Sequence, residues 1–120
     1  MGDRVLFQIV HKTNPEDFSP AIYCHWSGNI APQIVRTLRD RMEGRGGDVD
    51  YAAARLVQIC TEGDYGNLSF GIFNVDHVLD AGDSHGDAGV ILIDCADGFK
   101  CTCLDSYFET GADGMPKERS

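Results

Sequence analysis

Apolar positions divide the first part of the chain into two extended stretches. Residues 4–11 are rich in Val, Leu, Ile and Phe and read as a strand. Residues 20–26 carry Ile22, Tyr23, Cys24 and Trp26 and read as a second. Between them Thr13, Asn14, Pro15 and Asp17 are turn formers. A connection this short favours an antiparallel hairpin. On an extended chain Tyr23 and His25 share one face, while Ile22, Cys24 and Trp26 share the other. Core packing is therefore the expected role of Cys24 and Trp26.

The period then changes. Ile30, Ile34, Leu38 and Met42 recur every fourth residue and predict a helix to about Glu43. Asn29 is the expected N-cap, and Pro32 sits in the first turn, where its missing N–H costs nothing. Gly44, Gly46 and Gly47 end this helix. Asp48 caps a second, running to about Thr61, with Ala52, Leu56 and Ile59 as its inner stripe. The two make a helical hairpin.

Beyond Gly63 and Gly66 the strand period returns at residues 68–74. Residues 75–88 form a polar loop, followed by strands at 89–95 and 98–104 around Asp97-Gly98, a strong hairpin signal. The expectation is one α+β domain over residues 1–108 in the order ββααβββ. A five-stranded, largely antiparallel sheet would carry the helical hairpin on one face. Ile34, Leu38, Leu56, Ile59, Phe70, Ile72, Val90 and Leu92 are its expected core. Residues 109–120, with two glycines, a proline and several charges, are expected to form a mobile tail.

Charge adds a second layer. The chain has 19 acidic and 10 basic residues, a net charge of −9. That balance excludes direct binding to nucleic-acid phosphates, which needs clustered Lys and Arg. From Leu56 to Phe99 there is no Lys or Arg at all, against Glu62, Asp64, Asp76, Asp80, Asp83, Asp87, Asp94 and Asp97. An acidic surface of this kind suits a protein or complex with a basic face. Asp76, Asp80, Asp83 and Asp87 are the candidate partner-binding residues. No apolar run approaches the ~20 residues of a membrane span. The five cysteines, an odd number without Cys-x-x-Cys spacing and without a leader sequence, point to reduced thiols and a cytoplasmic location.

Candidate chemistry is sparse. Residues 76–87 hold four aspartates with His77 and His85, but not at calcium-loop spacing, so no metal is assigned. Ser84, His85 and Asp87 are neighbours on one loop, whereas triad members come together from separate elements. Cys24 and His25 point to opposite sides of a strand and cannot pair directly. No phosphate-binding glycine motif is present, and no cofactor is assigned. The alternative to an interaction protein is a small enzyme or small-ligand binder with a site near His25, Arg55 and His85. In it, His25 would lie near the first helix's N-terminus and Arg55 would act as a clamp.

The run Tyr23-Cys24-His25-Trp26-Ser27-Gly28-Asn29, an Arg-bearing helix, and then Asp50-Tyr51-Ala52-Ala53-Ala54-Arg55-Leu56 resembles a group of small bacterial and phage-borne proteins. The likeness spans about residues 3–75. It carries over no activity and no catalytic residue. It does imply a host-directed role, such as inhibition of a nucleic-acid-handling defence complex by an acidic, non-catalytic protein.

Overall fold

The computed structural model describes residues 3–62, 70–73, 87–104 and 106–118. Strand β1 (Val5–Val10) lies at the centre of a five-stranded sheet. Beside it run β2 (Ala21–Cys24), β3 (Phe70–Phe73), β4 (Gly89–Asp94) and β5 (Lys100–Leu104), in the spatial order β3-β2-β1-β4-β5. The β1–β4 pair is parallel, from Val5 opposite Gly89 to Val10 opposite Asp94. All other pairs in this sheet are antiparallel. The α+β architecture with a helical pair on one face is thus as the sequence predicts.

Strand alternation explains which residues face the helices. Val5, Phe7 and Ile9 of β1, Ile22 and Cys24 of β2, and Ile91 and Ile93 of β4 turn to one side. There they meet α1 (Ala31–Arg41) and α2 (Val49–Glu62), which bury Ile34, Leu38, Ala52, Leu56 and Ile59. The opposite side carries Leu6, Ala21 and Val90, with Tyr23, Leu92 and Leu104 packed against them. Gln8 is fully buried in β1; its Nε2 donates to the Ser19 carbonyl, while the Ser19 hydroxyl accepts from Ile9 N–H. No buried side-chain polar atom among the described residues lacks a partner.

Several expectations are corrected. Ile72 is 61% exposed and Phe70 only half-buried, because β3 is the sheet's outermost strand on that side and α2 leaves its outer flank open. Leu92 is likewise half-buried, on the face away from the helices. Trp26 is 48% exposed and not in the core: β2 ends at Cys24, and two residues further on strand alternation no longer sets where the ring points. Asn29 does not cap α1. It lies inside a 3₁₀ turn (Gly28–Ile30), and Ile30 occupies the N-cap position without a side-chain cap.

The expected mobile tail is also replaced, over residues 109–118. β6 (Phe108–Thr110) and β7 (Pro116–Glu118) pair antiparallel as a second, two-stranded sheet. Phe108 and Met115 enter the same core that the helices cover. Thr110 Oγ1 donates to the Cys101 carbonyl, and Cys101 N–H donates to that of Gly114. The polar composition hid two buried apolar anchors among charged neighbours.

The five cysteines are unpaired. Hydrogen bonding to Cys24, burial and the proximity of that thiol raise the Cys60 pKa well above the ordinary thiol range. Burial raises Cys101 similarly and pushes Cys95 up to about 11. These thiols pack as small neutral hydrophobes. Among the described residues, no helix is long and apolar enough to cross a membrane.

Leu38 and Leu56 are fully enclosed, so Leu38→Ala and Leu56→Ala should each cost about 2–5 kcal/mol. Ile72→Ala should stay within about half a kcal/mol, as exposed substitutions usually do. Chemical denaturation of the three variants checks this, and equal losses at all three would contradict the assignment of faces.

Candidate functional site

The parallel β1–β4 pair brings the starts of both strands and the end of β2 to one rim of the sheet. Asp3, just ahead of β1, organises that rim through its backbone and its side chain. Its N–H donates to the His25 carbonyl at 2.8 Å, and its carbonyl accepts from Gly28 N–H at 2.7 Å. The approach at Gly28 requires glycine. A Cβ there would lie 2.5 Å from the Asp3 carboxylate, 2.8 Å from its carbonyl and 2.9 Å from the Ala88 Cβ. The Asp3 carboxylate accepts from the Tyr107 hydroxyl at 2.8 and 2.9 Å. Partial burial, and then that bond to a carboxylate, raise the Tyr107 pKa above its ordinary range.

His25 stands beside this. Its Nδ1 lies 2.7 Å from the Tyr23 hydroxyl, on the shared face that strand alternation predicts. The Trp26 ring meets the imidazole edge-on at 4.6 Å between centroids. Trp26 and Tyr107 are both exposed, as is Ile30 across the 3₁₀ turn from Trp26. Near the rim, then, Tyr107 is exposed against the Asp3 carboxylate and Trp26 against His25, while Ile30 is exposed at the end of the 3₁₀ turn. Each ring is held by a neighbour, Trp26 by His25 and Tyr107 by Asp3.

Of the candidate partner-binding aspartates, Asp76, Asp80 and Asp83 lie outside the described residues, as do His77 and His85. Asp87 is half-buried at the same rim, where its Oδ2 accepts from Arg4 N–H at 3.1 Å. Other carboxylates of the cation-free stretch are engaged locally. Glu62 forms a two-pronged pair with Arg41, both contacts at 2.7 Å, and this holds the Glu62 pKa below its ordinary value. Asp94 Oδ1 accepts from Lys12 N–H and Ala96 N–H, and Asp97 sits between Lys12 and Lys100. Part of the acidic run thus shapes turns and helix contacts.

Arg55 occupies a different place. Its guanidinium lies 5.1 Å from the centre of the Tyr51 ring, and that of Arg45 lies 4.1 Å from the same ring. No hydrogen bond, ion pair or ring contact joins Arg55 to His25 among the described residues. Nor do the described residues contain a group of three or more His, Cys, Asp or Glu side chains suited to a metal ion.

Two clefts lie elsewhere on the described surface. A wide one of about 460 Å³ lies between the end of α1 and the β4–β5 turn. Arg39, Asp40 and Glu43 line it beside Cys95 and Phe99, so its wall carries charges of both signs. Phe99 adopts φ 61° there, a strained conformation for a non-glycine residue, and burial of its ring holds it. An apolar cleft of about 340 Å³ lies between α2 and β3.

The roles of Asp3, Gly28 and Tyr107 were not legible in the chain. Asp3 and Tyr107 are separated by more than a hundred positions, and no local pattern links them. Gly28 was the one signal, a glycine two residues after Trp26. Comparisons with protein-family models, curated proteins and solved structures return no match.

Gly28→Ala should destabilise the protein by about 1–3 kcal/mol, since the added methyl meets backbone and cannot be accommodated by a rotamer change. Thermal or denaturant unfolding measures it. Wild-type stability in Gly28→Ala would show that the Asp3–Gly28 contact does not constrain the rim.

Proposed function

We propose that this protein is a non-catalytic interaction protein that docks a basic protein surface through the rim around Asp3. The observation that supports this reading is the pair of exposed rings held by neighbours that Asp3 links, Tyr107 by the Asp3 carboxylate and Trp26 by His25, whose carbonyl accepts from Asp3 N–H. Tryptophan and tyrosine held in place before binding lose little entropy on association and are common energetic anchors of interfaces. Asp3, Asp87 and the net charge of −9 supply attraction to a cationic partner. A protein whose basic groove holds nucleic acid has the matching chemistry. Occupying such a groove is how a phage- or mobile-element-borne inhibitor would silence a host defence complex.

The alternative, a small-ligand or catalytic site built from His25, Arg55 and His85, has less support. His25 is bonded to Tyr23 and packed by Trp26, while Arg55 is stacked on the helical hairpin.

The test is affinity capture from host lysate followed by quantified binding to the captured protein at graded salt. The expected result is a basic, nucleic-acid-handling partner whose association slows as salt rises. Trp26→Ala should weaken binding by about thirtyfold, the effect of losing a ~2 kcal/mol anchor. Asn substitution of Asp76, Asp80, Asp83 and Asp87 should act mainly on the on-rate, and Arg36→Ala with Arg39→Ala should leave binding intact. If the arginine changes abolish binding while the Trp26 and aspartate changes do nothing, the interface is α1 and the proposal fails.

A further inference from the structure

Arg45 and Arg55 converge on a single tyrosine ring. Asp48 starts α2 by accepting from Tyr51 N–H at 3.1 Å. Tyr51 and Arg55, four residues apart, share one face of that helix. Arg45 comes from the loop before it, which is held on both sides. Its own N–H donates to the Met42 carbonyl at 2.9 Å, and Gly47 N–H donates to that of Cys95, just past the end of β4, at 2.7 Å. Gly44 and Gly47 turn the chain with φ of 83° and 86°. The guanidinium carbons of Arg45 and Arg55 lie 4.1 and 5.1 Å from the centre of the Tyr51 ring. They are therefore within about 10 Å of each other, the screening length at 0.1 M salt.

Neither cation is neutralised by a carboxylate. Among the described residues Lys12, Arg36, Arg41 and Lys100 form ion pairs, and Arg45 and Arg55 do not. The Tyr51 hydroxyl also has no hydrogen-bond partner among them, and the residue is exposed. The negative face of the ring offsets part of the repulsion between the two guanidinium groups. What remains is an excess of donors: two planar forks and one O–H, set in place by a tied loop and one face of a helix. Donors positioned in advance lose little freedom when an anion binds.

Charge and size select that anion. A guanidinium fork matches phosphate oxygens in pairs, and a phosphomonoester carries close to two negative charges at pH 7, which balance two arginines. Asp48 and Asp50 flank the ring along the chain, and the whole protein carries −9. An extended polyanion would meet repulsion beyond the two arginines. A compact dianion brings no charge that they leave unmatched.

We propose that Arg45, Arg55 and the Tyr51 hydroxyl form a binding site for the phosphoryl group of a small phosphomonoester. The site is separate from the Asp3 rim and does not depend on the partner proposed for it. Each guanidinium donates to phosphoryl oxygens from its place at the ring, and the hydroxyl donates to a third oxygen.

Nuclear magnetic resonance of the full chain tests this, read at the arginine Nε–H and backbone amide signals. The probe is phenyl phosphate. Its control is methyl phenyl phosphate, which has the same ring and a single charge. Phenyl phosphate should shift the Arg45 and Arg55 signals saturably, with a Kd of about 1 mM or below. The control should bind at least about tenfold more weakly. Arg45→Gln and Arg55→Gln should each weaken phenyl phosphate binding by about tenfold, the effect of losing charge-assisted hydrogen bonds. Tyr51→Phe keeps the ring and should weaken it by about threefold. Arg39→Gln removes another cation that has no ion pair and should change nothing. The amide spectrum of each variant reports its fold, and Arg45→Gln, in an exposed loop, decides the matter if Arg55→Gln disturbs α2. No saturable shift, or equal affinity for the two phenyl esters, would overturn the proposal. So would a loss in Arg39→Gln as large as in Arg45→Gln, which would mean general attraction alone. A single-stranded oligonucleotide bound at these arginines more tightly than phenyl phosphate would assign them to nucleic acid, again overturning it.

Discussion

The parallel pairing of β1 with β4 is the interaction on which the other features depend. It joins distant parts of the chain in a six-residue register, and both strands are buried on their two faces for most of their length. Burying β1 this completely leaves a polar side chain, Gln8, inside. The Ser19 carbonyl satisfies it, and the Ser19 hydroxyl and N–H bond to the Ile9 backbone. An unsatisfied amide there would cost roughly 1–3 kcal/mol, so the β1–β2 connection is held to β1 as part of the core.

That pair also sets up the two ends of the sheet. At one end it places Asp3 and Arg4 beside Asp87 and Ala88, and Asp3 gathers Gly28, His25 and Tyr107 around itself. At the other end Asp94 ties Lys12 and the β4–β5 turn together, with Phe99 strained over the turn. The first end is where aromatic side chains are exposed beside carboxylates. The second uses its carboxylates for turn geometry. Acids that look alike in the sequence thus have different structural work: Asp94 and Asp97 shape a turn, while Asp3 and Asp87 tie together the opposite rim.

The helices and most of their inner faces were legible because a four-residue apolar period matches the helical pitch, as at Ile34, Leu38 and Met42, although Ile30, which opens that period, precedes the helix and is exposed. Strand identity was also legible, down to Tyr23 and His25 sharing a face. Burial on β3 was not. Alternation says which residues share a face, but only sheet order reveals that β3 is an edge and that Ile72 has no helix above it. Trp26 failed for a related reason: two residues past the end of β2, strand geometry no longer sets where its ring points. The C-terminal hairpin was hidden because two buried anchors, Phe108 and Met115, sit among glycines and charges. The Asp3–Tyr107 contact and the Arg41–Glu62 pair are tertiary, and the spacing of the residues along the chain does not encode them.

The central claim is a rigid β1–β4 frame with β3 as the outermost strand among the described residues. Native-state hydrogen exchange, read amide by amide, tests it most directly. The hydrogen-bonded amides of β1 and β4 should exchange only through global unfolding, at one shared free energy that tracks denaturant. Those of β3 should exchange faster, through local opening insensitive to denaturant. Protection of β3 equal to that of β1 and β4, or exchange of the β1–β4 amides by local opening, would contradict the account.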